Sequence, residues 1–191
     1  MALQLFIQLK GIEEPTIWRR LLVPETFTFR QLHRAIQVAF GWENRHLYQF
    51  QLQAYNSPWC VREPSDMDGM FDEELLFADK TQVLNFLESR DLNQIEYVYD
   101  FGDDWIHEIR LEERTNALMS VARCLDGEGM APPEDCGGIG GYAHLKSLLA
   151  KKRKTKDDLA QIEWFLGDAS IRNLGTFNLE MTNKLLAKMK L

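Results

Sequence analysis

The chain is short of cysteine. Its three, Cys60, Cys124 and Cys136, are an odd number with wide spacing, which excludes an even disulfide framework and any Cys-x-x-Cys knuckle. Cations are also scarce. There are 22 Lys and Arg against 29 Asp and Glu, a formal charge of −7. That balance makes nonspecific duplex nucleic acid a poor partner, because such binding depends on cations neutralising phosphates. No apolar run approaches the length of a membrane span, so no membrane partner is expected. With no signal-like start, the expected compartment is the cytoplasm, with reduced thiols. Several motifs are missing too: a Gly-Lys-Ser/Thr phosphate loop, a dinucleotide glycine fingerprint, His-Glu-x-x-His and a serine nucleophile elbow.

What is present suits a folded domain. Apolar residues make up 45% and charged residues 27% of 191 positions, enough for one well-cored domain over residues 1–191, with a helical C-terminal portion from about 142. Leu3, Leu5, Ile7 and Leu9 alternate with polar or partly polar neighbours, as a strand with one buried face requires. Ile17, Arg19, Leu21 and Val23 share one face of a second strand, and Tyr48, Phe50 and Leu52 one face of a third, over 46–53. Thr28 and Gln31 have capping-box spacing. Phe29, Leu32, Ala35, Ile36, Ala39 and Phe40 follow at helical spacing, with Gly41 as the stop. The other face of that helix, with Arg30, His33, Arg34 and Gln37, reads as solvated. Residues 54–79 are less regular, and Asp66-Met67-Asp68-Gly69 reads as an acidic loop without the spacing of a calcium hand. Thr81 is placed to cap a short helix reaching about Arg90. The basic run Lys151–Lys156 reads as cations completing a helix C-terminus. Asn178 is placed to cap a last helix that buries Leu179, Thr182, Leu185, Leu186 and Met189. The fold class is therefore α+β: an antiparallel sheet of residues 3–9, 17–23, 46–53, 95–101 and 105–113 against the helix 29–40.

Two stretches hold most of the unusual chemistry. Ile95, Tyr97, Tyr99 and Phe101 alternate on one strand face, and Trp105, His107, Ile109 and Leu111 on the next. This describes a hairpin with Gly102-Asp103 as the pair that tolerates positive φ. Asp100, Asp103 and Asp104 crowd its tip, where aspartate serves turns and, alternatively, a metal or cationic ligand. His107 shares the inward phase and reads as a core histidine. The second stretch, from Cys124 through Asp126 and Pro132-Pro133-Glu134-Asp135-Cys136-Gly137-Gly138 to Tyr142, reads as an ordered, acidic, glycine-rich loop. It is expected to fold back onto the hairpin, bringing Asp126, Glu134 or Asp135 towards Asp100, Asp103 or Asp104.

Tyr99-Asp100-Phe101-Gly102-Asp103-Asp104-Trp105 with His107, Cys124-Leu125-Asp126-Gly127-Glu128-Gly129, Pro132 to Gly138, and Gly141-Tyr142 together resemble the plasmid pRiA4b ORF-3-like family. Phe40-Gly41-Trp42, His46-Leu47 and Phe50 are similar to its N-terminal pattern. The resemblance covers roughly the whole chain and implies an association with plasmids and mobile elements as well as chromosomes. It implies no particular reaction. Many relatives carry cysteine before the Pro-Pro pair, where this chain has Ala131.

Two functions fit these residues. The preferred one is a non-enzymatic binding or interaction domain for a protein or small ligand, with Tyr99, Asp100, Asp103, Asp104, Trp105, His107, Asp126, Glu134, Asp135 and Tyr142 as its ligand-binding or structural motif. The alternative is a metal-dependent hydrolase or nuclease-like enzyme, in which a divalent metal is held by oxygen ligands of the acidic cluster, with His107 or His144 as base. A zinc variant would draw on Cys124, Cys136 and a histidine. Asp103, His107, Cys124 and Cys136 are the metal-ligand candidates.

Overall fold

The computed structural model describes residues 1–65, 74–166 and 177–189. The order of elements is β1 (Ala2–Glu13), β2 (Thr16–Pro24), α1 (Phe29–Phe40), β3 (Tyr48–Gln51), β4 (Trp59–Arg62), β5 (Glu74–Phe77), α2 (Val83–Ser89), β6 (Gln94–Tyr99), β7 (Trp105–Thr115), β8 (Arg123–Glu128), α3 (Gly138–Ala150), α4 (Lys156–Leu166) and α5 (Leu179–Leu186). The strands form one sheet ordered β5-β4-β3-β6-β7-β1-β2-β8. Every neighbouring pair is antiparallel except β4 with β5. This is the expected α+β arrangement, with three strands added by β4, β5 and β8.

Period-two alternation fixes the centre of the sheet. Leu3, Leu5, Ile7 and Leu9 are buried, as are Ile17, Leu21 and Val23 on β2. They share a core with Phe29, Leu32, Ala35, Ile36, Ala39 and Phe40 of α1. Thr28 accepts a bond from the Gln31 amide, the Gln31 side chain reaches back to the Thr28 amide, and Gly41 closes the helix at φ 78°. Thr28→Ala would remove one half of this reciprocal cap, so urea denaturation should show a loss of about 1 kcal/mol.

Arg19 lies on the buried face of β2 with 3% exposure. Its guanidinium donates to the carbonyls of Trp18, Ala39, Glu128 and Gly129, at 2.7 to 3.1 Å. Burial lowers its pKa to about 10, so it remains a cation at neutral pH. These bonds tie α1 to the end of β8 and fix where the following loop departs.

Several expectations need correction. Residues 54–79 contain two short strands, β4 and β5; Asp66-Met67-Asp68-Gly69 lies outside the described residues. The third strand stops at Gln51, which leaves Leu52 41% exposed. Gln82 occupies the cap position of α2, while the Thr81 hydroxyl donates to the Phe77 carbonyl. The polar face of α1 is not solvated throughout, since His33 and Gln37 are buried. Both bond to the Tyr97 hydroxyl, and Asn44 completes the network. On α5, Thr182 and Leu186 are buried but Leu179 and Leu185 are exposed. That helix presents a narrow face, anchored by Asn183 bonding both the amide and the carbonyl of Cys124. Asn178 caps it as expected, and Lys154 donates to the carbonyls of Leu149 and Lys151 at the end of α3.

Candidate functional site

β6 and β7 pair up to Tyr99 and Trp105, leaving the five residues 100–104 as the turn. Positive φ falls on Asp100 (58°) and Asp104 (63°), not on Gly102-Asp103. Aspartate tolerates this region because its carboxylate can satisfy nearby amides. Asp100 Oδ1 does so, accepting from the amides of Gly102 at 2.9 Å and Asp103 at 3.4 Å. Phe101 is carried out of the strand and is 44% exposed, not on its buried face.

The long loop folds back onto this turn. The Gly137 amide donates to Asp103 Oδ2 at 3.0 Å. Gly138, at φ 66°, passes so close that a Cβ there would sit 2.8 Å from the Asp103 carbonyl oxygen, so only glycine permits the approach. Tyr99 is the main link. Its hydroxyl donates to Glu134 Oε1 at 2.9 Å, and the same oxygen accepts from the Glu43 amide at 2.7 Å. Burial, then the bond to Glu134, holds the Tyr99 hydroxyl above its usual pKa. Tyr142 bonds the Met130 carbonyl from α3.

A third segment, residues 41–47 after α1, completes the site. Trp42 stacks on Tyr99 with centroids 4.9 Å apart, and its indole donates to the Pro132 carbonyl. The Arg45 amide donates to the Tyr99 hydroxyl. His46 then projects between the other two segments. Its Nε2 lies 3.1 Å from Asp135 Oδ1, 3.5 Å from Asp100 Oδ2 and 3.7 Å from Glu134 Oε2. None of these approaches has hydrogen-bond geometry, so Nε2 and Glu134 Oε2 are both buried without a bonded partner among the described residues. His46 falls within the expected strand 46–53, in phase with Tyr48 and Phe50, but the strand begins only at Tyr48, which frees His46 to turn into the site. The visible signal was its place in a pattern beginning Phe40-Gly41-Trp42.

The remaining sequence candidates are dispersed. Asp104 accepts from the Tyr55 hydroxyl. Trp105 and His107 are core residues, 1% and 0% exposed. Burial lowers the His107 pKa to about 3, and its ring packs edge-on to Phe40 and Trp42. Asp126 pairs across from Arg20 on β8, and its carboxylate bonds the next amide, so it does not join the tip. Cys124 and Cys136 are both buried, and burial pushes their thiols up to about 11 and 12. Cys124 donates to the Asp126 carbonyl and Cys136 to that of Gly138. His144 is exposed beside Gln161. Among the described residues, the group whose ligand atoms come within 4.8 Å of one another is His46, Asp100 and Asp135. It does not include Asp103, His107, Cys124 or Cys136.

Beside this cluster opens a cavity of about 890 Å³ between α1 and the β3–β4 end of the sheet. Arg30, Arg34 and Arg62 line it with His33, His46, Tyr48, Glu63 and Phe101 among others. Among the described residues, its lining has three guanidiniums and one carboxylate, Glu63. Arg30 forks onto Glu63, whose other partner is the Tyr48 hydroxyl.

No helix among the described residues is long and apolar enough to cross a membrane. A protein called uncharacterized protein y4hQ, from Sinorhizobium fredii, is 33% identical over 138 residues, covering 72% of this chain and 68% of its own. The crystal structure of a protein of unknown function, MM3350 from Methanosarcina mazei Go1, superposes with a TM-score of 0.75 at 29% identity. The match covers 94% of this chain and 95% of that one. The model of the family described as plasmid pRiA4b ORF-3-like protein matches residues 1–183. The chain therefore belongs to the plasmid pRiA4b ORF-3-like family.

Proposed function

We propose that this protein is a binding domain for a small organic anion with an apolar or aromatic part, taken up in the cavity between α1 and the β3–β4 end of the sheet. The observation that carries the reading is a reversal of charge. A chain of net charge −7 gathers Arg30, Arg34 and Arg62 around one concave space. Low-dielectric walls with an excess of one sign of charge concentrate ligands of the other sign, and here Glu63 offsets Arg30 but not all three arginines. The volume, about 890 Å³, suits a ligand of drug-like size. Arginine adds a planar fork that fits carboxylate, sulfonate or phosphate oxygens. Tyr48 and Phe101 supply ring surface, and exposed Leu47 and Tyr55 extend it. Tyr48 stacks flat on the His33 ring at 3.5 Å, which fixes one wall in place.

The probe for this reading is 8-anilinonaphthalene-1-sulfonate, an aromatic anion whose fluorescence rises in apolar surroundings. Titrated into the folded protein, it should bind saturably at one site per chain. The Arg34→Glu/Arg62→Glu double variant should weaken binding at least about tenfold. Added salt should weaken it as well. Absence of saturable binding, or equal affinity in the double variant, would remove the proposal.

A further inference from the structure

We infer that His46, Asp100 and Asp135 form a binding site for a first-row divalent cation, one ion per chain, at the meeting of the three loops, with Glu134 at its edge. The site shares His46 with the lining of the anion cavity but needs no anion, and it is probed with metal alone.

Its basis is how the donor atoms are held. One imidazole nitrogen and carboxylate oxygens of Asp100 and Asp135 lie within 4.8 Å of one another. That spacing suits atoms sharing an ion at about 2.0–2.2 Å from each. Each of the two more buried carboxylates has one oxygen occupied and one directed inward. Asp100 Oδ1 is held by the Gly102 and Asp103 amides, while Oδ2 faces His46. Glu134 Oε1 is held by the Tyr99 hydroxyl and the Glu43 amide, while Oε2 faces His46. Outer bonds of this kind orient metal ligands.

The independent observation is Glu134 Oε2. Its side chain is 10% exposed, yet this oxygen has no hydrogen-bond partner among the described residues. A buried, unsatisfied carboxylate oxygen costs free energy unless a cation or a donor reaches it. The imidazole nitrogen of His46, 3.7 Å from that oxygen, is orphaned beside it. The Asp100 and Asp135 carboxylates approach the same nitrogen. The adjacent cation, Arg45, is 3.9 Å from Asp135 on its outer side, half exposed and paired with Glu43. A divalent ion held by His46, Asp100 and Asp135 would satisfy the imidazole nitrogen and place positive charge beside Glu134 Oε2, which offsets the mutual repulsion of the carboxylates. One nitrogen with oxygen donors fits manganese or zinc better than calcium, which takes six to eight oxygens. Asp135, with a 61% exposed side chain, leaves the site open to solvent for entry of the ion.

The test is calorimetric titration of chelator-treated full-length protein with manganese chloride and zinc chloride, with thermal melting in parallel. Calcium chloride serves as the comparison. Stoichiometric binding of one ion is expected, with the melting temperature rising by roughly 5–10 °C at a hundredfold excess over Kd. Asp135→Asn, at an exposed position that leaves the core intact, should weaken binding at least tenfold, as should His46→Gln. Asp104→Asn, next to the cluster but outside it, should bind as the parent does. Lack of stoichiometric binding of either metal would overturn the site. Unchanged affinity in folded Asp135→Asn and His46→Gln would overturn it too.

Discussion

Trp105→Ala is expected to destabilise the fold by about 3–5 kcal/mol, the range for deleting a large buried aromatic where the surroundings collapse only in part. The indole is 1% exposed. It begins β7 directly opposite Tyr99 and packs in a series with Trp42, which in turn stacks on Tyr99. Alanine would leave a gap beneath two of the three site segments, and neither is able to close it alone. The indole Nε1 has no hydrogen-bond partner, so Trp105→Phe forfeits no bond and should cost much less. Urea denaturation measures both variants. A midpoint for Trp105→Ala indistinguishable from the parent would show that the ring does not support the site.

Acidification is expected to produce the next largest loss. Burial lowers His107 to about 3 and His33 to about 4, against about 6.5 in an unfolded chain. Both therefore stay neutral in the folded protein at pH values where the unfolded chain already binds protons. Their contribution is fully present above the unfolded value. It is lost as pH falls from about 6.5 towards the folded values, because protons then favour the unfolded state. By pH 5 the two together should remove about 4 kcal/mol, near 2 kcal/mol each. His107→Phe keeps a ring in the same space and removes one titrating group. Its stability should fall less steeply between pH 6 and 5, by about 1 kcal/mol over that interval. Parallel stability curves for parent and variant would contradict a neutral, buried His107.

Much of the fold was legible because its main elements repeat a simple period. β1, β2 and the first half of β7 alternate, β6 is buried on both faces, and α1 carries a capping box and a glycine stop. β4 and β5 were not legible. Trp59–Arg62 and Glu74–Phe77 are four residues each without alternation, and strands that short carry little periodic signal. The site was half legible. The Asp-rich turn and the Pro/Gly loop stood out, and their contact through Asp103 and Gly137 follows from glycines placed for close approach. His46 was hidden by its phase with the strand that follows it. Arg30 and Arg34 looked solvated from the helix pattern, because only the tertiary position of β3 and β4 turns that face into a cavity wall. Thiol chemistry alone suggests ligands, but spacing along the chain does not reveal that Cys124 lies under α5 and Cys136 in the returning loop.

The measurement that tests the central functional claim most directly is a crystal structure of the protein grown with 8-anilinonaphthalene-1-sulfonate. The sulfonate should lie within hydrogen-bonding distance of Arg34 or Arg62, with the naphthalene ring against Tyr48 or Phe101 inside the cavity. A dye ordered elsewhere on the surface, with that cavity left to solvent, would contradict the account.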